Sequence, residues 1–449
     1  MKTSLFKRKI IDYLLSWKDK PNRKPLVLRG ARQVGKTSTI KFFAENHFED
    51  LVYINLDKSD HYEAFKTVKS LKDFKQVVSI IFKKQLISGK TLLFIDEIQN
   101  LPNLIDLLRF FYEEQPKLHV MAAGSLLEAI IQKEGLSMPV GRVEYAYLYP
   151  LDFFEFLQTK QETKLLDYLN SVGLNTNIPK AIHEQANKLF LEYSLIGGMP
   201  ELVKTYLESD DYNSLLPLYA SLLTSYKEDV YKYQSQANSK YIQFVIENAP
   251  FFAGSIYTYE NFGNSLYKSR EMSQAFNLLE KIMILNEVTA TQSKKLPLSL
   301  KPKRPKKLLY LDVGLVNFKN NLQSQYINLN DLQDVYRGQI AEQVVGQNLL
   351  AQYLHQPANL HYWTKEKSKG SAEVDFCFVH LGQIVGVEVK SGSTTQLKSL
   401  MSFAKEVENP ILVRVHKGHL ETKKLKLNGK THTFHSIPFY LVPRLTSLL

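Results

Sequence analysis

The stretch Leu26-Val27-Leu28-Arg29-Gly30-Ala31-Arg32-Gln33-Val34-Gly35-Lys36-Thr37 constrains this chain more than any other. An apolar run ends in Gly30, and Gly35-Lys36-Thr37 follows, so that G-x-x-x-x-G-K-T lies between a strand-like and a helix-like segment. Glycines let a backbone curl until successive N–H groups face phosphate oxygens, and a helix N-terminus adds partial positive charge there. The pattern predicts a helix over 36–44. Lys36 is placed to reach the β- and γ-phosphates of a nucleotide, and the Thr37 hydroxyl to hold Mg²⁺. The expected nucleotide-binding set is Gly30, Ala31, Arg32, Gln33, Val34, Gly35, Lys36, Thr37 and Ser38. The competing reading is a glycine turn that binds nothing; four fixed positions match by chance in about one chain in a hundred of this length.

Strand-like runs follow at 51–56, 91–97 and 118–123, with helical spacing between them at Phe74, Val77, Val78, Ile81 and Phe82. Thr91-Leu92-Leu93-Phe94-Ile95 is apolar almost throughout, as in a strand buried on both faces of a parallel sheet, and it ends in Asp96-Glu97. Acids at that edge sit where such sheets bind ligands. Asp96 is placed for the Mg²⁺ shell and Glu97 to orient or deprotonate the attacking water, against the alternative of two surface acids. Ser125, after the fourth strand, is positioned to contact the γ-phosphate or that water.

With 449 residues, two to four domains are expected. The net charge of +12 suits a nucleic-acid partner or an anionic membrane, or serves solubility alone. A single cysteine, Cys377, excludes an internal disulfide and fits a reducing compartment. Ile10-Ile11-Asp12-Tyr13-Leu14-Leu15 is amphipathic rather than a signal peptide, and no apolar run is long enough to span a bilayer. A cytoplasmic protein without a membrane partner is expected.

The phosphate loop together with Leu93-Phe94-Ile95-Asp96-Glu97-Ile98-Gln99 resembles the AAA-superfamily ATPases, in particular a prokaryotic subgroup with a C-terminal domain of unknown function 4143. Further matching stretches are Ala123-Gly124-Ser125, Pro139-Val140-Gly141-Arg142-Val143-Glu144, Leu148-Tyr149-Pro150-Leu151, Gly197-Gly198-Met199-Pro200-Glu201 and Tyr310-Leu311-Asp312-Val313-Gly314-Leu315. The resemblance implies an α/β fold: a P-loop AAA-type ATPase core, a helical lid, a winged-helix-like middle domain and a C-terminal PD-(D/E)xK nuclease-like α/β domain. The expected boundaries are 1–156, 157–236, 237–328 and 329–449. It also implies ATP as cofactor, Ser125 as the sensor position, and Arg142 as an arginine finger, in trans within a homo-oligomer or in cis. The other reading of Arg142 is a salt bridge with Glu144 or a neighbour. Gly197-Gly198-Met199-Pro200-Glu201 resembles a lid motif that packs near adenine.

Residues 157–187 are polar and lysine-rich and read as a loop or variable insertion. Helical spacing over 185–208 and 214–233 is separated by Glu208-Ser209-Asp210-Asp211, a stop-and-cap signal. Helices are expected at 241–252 and 269–285, then strands at 285–290 and 307–311. Between those strands, residues 294–307 hold seven basic residues and no acid. This reads as a wing for phosphate contacts or as a solvated loop kept open by prolines.

Beyond residue 337 an amphipathic helix over 338–354 carries Glu342, and strands are expected at 360–364, 374–379, 384–390 and 411–415, with a helix over 395–407. Side chains alternate along a strand, so Glu388 and Lys390 point together, and Asp375 sits opposite Val374, Phe376 and Phe378 with Cys377 on its own side. Asp375, Glu388 and Lys390 then meet on one sheet face, where two carboxylates could hold Mg²⁺ or Mn²⁺ and Lys390 could orient a water. This set resembles the PD-(D/E)xK nucleases, with Glu342 matching the acid of the first helix and Gln396 the polar residue of the second; Glu373-Val374-Asp375 replaces the proline–aspartate pair. The implied metal ligands are Glu342, Asp375 and Glu388. Three readings stand: an intact metal nuclease, a nucleic-acid-binding fold without turnover, and a solvated strand face. The leading expectation is an ATPase acting on nucleic acid, DNA rather than RNA. The alternative is a nucleotide-operated switch in signalling or defence whose tail binds a partner without cleaving.

Overall fold

The computed structural model describes residues 6–125, 127, 130, 138, 139, 141–233, 236–322, 338–366, 372–391, 397–427 and 429–449. Val140 and Gln396 lie outside them. The chain forms two compact units: Met1–Tyr149 with Lys281–Met283 and Tyr353–Pro357, and the remainder.

The first unit is built on five parallel strands: β1 (Leu26–Arg29), β2 (Asp50–Asn55), β3 (Thr91–Asp96), β4 (His119–Ala123) and β5 (Glu144–Tyr147). Their order is β2-β3-β4-β1-β5. Every residue of β3 and β4 is buried, as two-sided strands require. The loop after β1, the acids closing β3 and the Ser125 turn after β4 therefore gather at the carboxyl edge of neighbouring strands.

The second unit carries one nine-stranded sheet, β13-β14-β12-β11-β10-β9-β7-β8-β6. Its strands are β6 (Ile256–Tyr257), β7 (Leu285–Thr291), β8 (Lys306–Tyr310), β9 (His361–Thr364), β10 (Glu373–His380), β11 (Gln383–Lys390), β12 (Ile411–His416), β13 (Glu421–Leu427) and β14 (Lys430–Pro438). β7 serves two partners. Its first half pairs antiparallel with β8, and Thr289–Thr291 pairs parallel with β9. The β7–β8 hairpin and the C-terminal strands thus share one sheet. The lysine-rich loop between β7 and β8 is neither solvated throughout nor held open. Lys301 N–H donates to Ala290 O at 2.8 Å, the Tyr362 hydroxyl to Pro305 O at 2.5 Å, and Lys294 pairs with Glu406 at 2.7 Å. Leu298 packs on the cluster formed by Trp363, Leu400 and Phe403.

Several expectations are corrected. Residues 157–187 are not a loop: helices run over Phe153–Thr159 and Thr163–Ser171, and a third starts at Lys180. A capping box between Asp152 and Glu155 starts the first. The Arg444 guanidinium donates to the carbonyls of Leu169 and Asn170 at the end of the second, a partner far away in sequence. The helix Gly338–Leu350 is not amphipathic: past its exposed first residues it is buried on every side from Gln343 to Leu350. Its amides act as surrogate backbone: Gln343 bonds both N–H and C=O of Tyr310, Gln347 accepts from Val313 N–H, and Asn348 accepts from Phe153 N–H. Strands β13 and β14 were not expected, although Asn428-Gly429 is a hairpin signal. Finally, a register shift between Val374 and Cys377 breaks the alternation in β10. Cys377 consequently joins Val374 and Phe403 in the core, away from the side expected of it.

Three of the matching stretches meet inside this unit. Gly198 N–H donates to Asp312 Oδ2 at 2.6 Å, Gly314 N–H to Asp312 Oδ1 at 2.9 Å, and Leu151 N–H to Gly198 O at 2.7 Å. A Cβ on Gly198 would lie 2.0 Å from Leu151 O, and one on Gly314 2.0 Å from Ile196 O, so these glycines permit close backbone approach. Asp312 is fully buried, which pushes its pKa up to about 6 against the pull of those N–H groups.

Candidate functional site

The phosphate loop folds as its residue types require. Gln33 and Gly35 both take positive φ (65° and 94°), and Lys36 opens the helix Lys36–His47. Gly30 has no room for a side chain, since a Cβ would lie 2.4 Å from Leu148 O. Arg8, which no local motif marks, pins the loop by donating to Val34 O (2.9 Å) and Tyr149 O (2.7 Å). Gly30, Ala31 and Val34 are buried, Arg32 is half-buried, and Gln33 and Ser38 are exposed.

The Lys36 ammonium is buried and donates to Gly30 O and Ala31 O, both at 2.8 Å. Burial lowers its pKa to about 8, partly offset by the charges of Glu97 and Asp96. Asp96 Oδ2 accepts from the Thr37 hydroxyl at 2.7 Å and from the Tyr53 hydroxyl at 3.1 Å. Burial raises the Asp96 pKa while these two donors oppose the shift. Tyr53 stacks on Phe94 (5.3 Å between centroids), and the Lys41 ammonium lies 4.0 Å from its ring centroid.

Glu97 sits in the left-handed region at φ 52°, a conformation that turns its side chain off the strand line. Gln99 Nε2 donates to Glu97 Oε2 at 2.5 Å, and Ser125 approaches the same oxygen through N–H (3.4 Å) and hydroxyl (3.5 Å). Gln99 is buried, and its Oε1 has no partner among the described residues. A Cβ on Gly124 would lie 2.0 Å from that oxygen, so a side chain there would displace the Gln99 amide. Lys36, Thr37, Asp96, Glu97 and Ser125 thus come together, and Gln99, Tyr53 and Arg8 join them. Arg142 does not join them. Its Nε donates to Glu113 Oε1 at 2.8 Å, Glu113 also accepts from Arg109, and the guanidinium lies over the Tyr112 ring. The partner is Glu113 rather than Glu144, which pairs with Lys20.

The C-terminal acids are brought close, but around a lysine. Lys307 of β8 donates to Glu342 Oε2 at 2.6 Å and Asp375 Oδ1 at 3.1 Å, and lies 3.5 Å from Glu373 Oε1. Burial pulls its pKa down, and the charges of Asp375, Glu342 and Glu373 outweigh burial and hold it above the ordinary lysine value. Asp375 Oδ2 accepts from Val389 N–H at 2.8 Å. Glu388 Oε1 accepts from Lys390 Nζ at 2.6 Å, while its Oε2 is buried without a partner among the described residues. Burial raises the pKa of Glu342 and Glu388, and the charge of Asp375 adds to it. Among the described residues, no group of three His, Cys, Asp or Glu side chains could hold a metal ion. Of the expected metal set, Glu342 and Asp375 both bond Lys307, and Glu388 bonds Lys390.

A signal for Lys307 was present. Lys307 and Leu309 share one strand face, and Glu342 and Gly346 share one helix face at i, i+4. Leu309 packs against Gly346, so Lys307 falls over Glu342.

A parallel sheet with a phosphate loop after β1, paired acids after β3 and Ser125 after the β4 strand between them is a P-loop core of AAA type. A family model described as AAA domain matches residues 22–157, and two described as domains of unknown function, DUF8612 and DUF4143, match 187–326 and 337–440. The chain thus carries an AAA domain at its N-terminal end and a DUF4143 domain at its C-terminal end. A comparison with curated proteins gives no match. Solved structures similar to it include the Thermotoga maritima RuvB Holliday junction branch migration motor, at 15% identity over 63% of this chain and 90% of that one, with a TM-score of 0.30. The Aeropyrum pernix ORC1 protein in complex with DNA matches at 12% identity over 72% and 93%, TM-score 0.25. Cdc6p from Pyrobaculum aerophilum matches at 12% over 75% and 98%, TM-score 0.27. No helix among the described residues is long and apolar enough to cross a membrane.

Proposed function

We propose that the protein binds and hydrolyses ATP and uses its nucleotide state to act on nucleic acid, with a C-terminal domain that grips without cleaving. The observation carrying this reading is the grouping of Lys36, Thr37, Asp96 and Glu97 at one sheet edge. Loop N–H groups and Lys36 bind the phosphates, and Lys36 leaves only neutral carbonyl partners to do so. Thr37 and Asp96, already 2.7 Å apart, would hold Mg²⁺, which when bound neutralises charge between the β- and γ-phosphates. Glu97, once released by Gln99, accepts a proton from the attacking water. Arg142 completes a site only if a second copy supplies it.

Exposed lysines support a nucleic-acid partner: Lys423, Lys424, Lys426 and Lys430 on the β13–β14 hairpin and Lys295 and Lys303 on the β7–β8 loop. Such charges bind phosphates with a steep salt dependence, and DNA is the expected partner. The test is phosphate release by intact protein with and without duplex, branched or single-stranded DNA and RNA. Turnover equal to that of Lys36→Ala under all conditions sinks the ATPase reading. A second reading, metal-dependent cleavage by Asp375, Glu388 and Lys390 with Glu342, draws support from the Glu388–Lys390 pair and the unpartnered Glu388 oxygen. It requires Lys307 to leave the acids.

A further inference from the structure

The acid cluster of the C-terminal domain takes its positive charge from outside that domain. Glu342 stands on the helix Gly338–Leu350, and Glu373 and Asp375 stand on β10. Lys307 comes from β8, within the segment matched by the DUF8612 model. Its side chain is 2% exposed, and its ammonium lies 5.3 Å from the Phe376 ring centroid. A charge removed from water this completely is tolerated only where opposite charges and acceptors surround it. Three carboxylates do so here, at 2.6, 3.1 and 3.5 Å.

The backbone beneath Lys307 holds it there. β8 is paired on both edges, with Lys307 opposite Ile256 on one side and Val288 on the other. The ammonium cannot withdraw by a strand peeling from an open edge. The remaining ligand capacity is divided elsewhere: Asp375 spends its second oxygen on Val389 N–H, and Glu388 turns to Lys390.

We propose that Lys307 is a resident cation standing where a nuclease of this architecture would hold its divalent metal, so that the C-terminal domain is locked as a metal-free binding module by a lysine of the neighbouring segment. This deepens the grip-without-cleaving reading and rests on it. The chemistry separates the two cations. An ammonium offers three donors and one charge. A divalent ion gathers about six oxygens and lowers the pKa of a bound water. Lys307 satisfies the acids and generates no nucleophile. Its loss would leave Glu342, Glu373 and Asp375 converging with net negative charge on a space that a hard cation fills.

The test is a Mn²⁺ titration of the full chain without nucleotide, followed by electron paramagnetic resonance, with wild type, Lys307→Met, Lys307→Arg, Asp375→Asn and Glu342→Gln compared. Mn²⁺ at the phosphate loop is common to all five and cancels. Wild type, Lys307→Arg and the two acid variants should bind equal amounts, and Lys307→Met one ion more, at least about ten-fold tighter than any site gained elsewhere. Wild type binding one ion more than Asp375→Asn or Glu342→Gln overturns the proposal, and so does a folded Lys307→Met with no added ion. Should Lys307→Met fail to fold, the wild-type comparison with the acid variants still decides. Cleavage of DNA or RNA is assayed on the same samples. Mn²⁺ binding by wild type without cleavage removes only the Lys307 assignment. Cleavage lost in Asp375→Asn removes the grip reading as well.

Discussion

The phosphate-loop site and the C-terminal acid cluster are made from the same parts, a buried lysine and several carboxylates, and they dispose of the charge in opposite ways. Lys36 is parked on two backbone carbonyls, while Asp96 takes hydroxyl donors and Glu97 an amide. No salt bridge joins lysine to acid there among the described residues, so each charged group has a neutral partner that a ligand can replace. Lys307 bonds the carboxylates of Glu342 and Asp375 directly, and the neutral donor that Asp375 has, Val389 N–H, serves its other oxygen. Neutral partners keep a site available for a charged ligand; an internal ion pair has already used the charge. Burial pulls both lysines down; Lys36 falls to about 8, whereas the carboxylate charges around Lys307 outweigh burial and carry it upward.

The comparison breaks most sharply on turnover. Lys36→Ala should lower kcat for ATP hydrolysis by about 10²–10³, the effect of removing one preorganised charge donor. Glu97→Gln should lower it by about 10²–10⁴ with nucleotide affinity kept, as loss of a general base does. If Glu97→Gln turns over ATP normally, the water-activating role is wrong. The closed cluster should answer in stability instead. Lys307→Met strands three carboxylates and should cost about 3–5 kcal/mol in urea unfolding. A loss under about 1 kcal/mol would mean that the acids reach water or protonate freely, and the contrast with Lys36 would fail.

Asp312 offers an intermediate case, a carboxylate held only by N–H groups. Asp312→Asn puts an amide against those donors and should cost about 2–3 kcal/mol. Its pKa is raised from 3.8 to about 6, so its stabilising contribution is complete below about pH 4 and is lost as pH rises through about 6. The wild-type unfolding free energy should therefore fall by up to about 1.4 kcal/mol per pH unit across that window relative to Asp312→Asn. Parallel pH profiles would show that Asp312 titrates normally. The smallest effect belongs to Gln99→Ala, which frees Glu97 and should change kcat about ten-fold or less, with ATP affinity unmoved. A change in affinity alone would make Gln99 a packing residue.

What could be read from residues alone followed chain proximity. The phosphate loop, the buried strand ending in Asp96-Glu97, and the strand pair bearing Asp375 and Glu388-Val389-Lys390 are local patterns, and each appears where its period put it. The polar, lysine-rich composition of 157–187 reads as loop; the helix Thr163–Ser171 within it buries only Leu169, and its closing partner, Arg444, lies far along the chain. Cys377 was assigned the wrong face because a bulge in β10 depends on its pairing with β9.

The sequence by itself determined the chemistry available at the first site: one glycine-bounded loop, one lysine, one hydroxyl and two acids, in an order that a parallel sheet necessarily gathers at its carboxyl edge. Only the tertiary structure decided which charges meet at the second. A single strand, β7, pairs with β8 on one side and β9 on the other, and that pairing carries Lys307 across to Glu342 and Asp375. Electrostatic partnership depends on distance in space, and no periodicity along the chain encodes it.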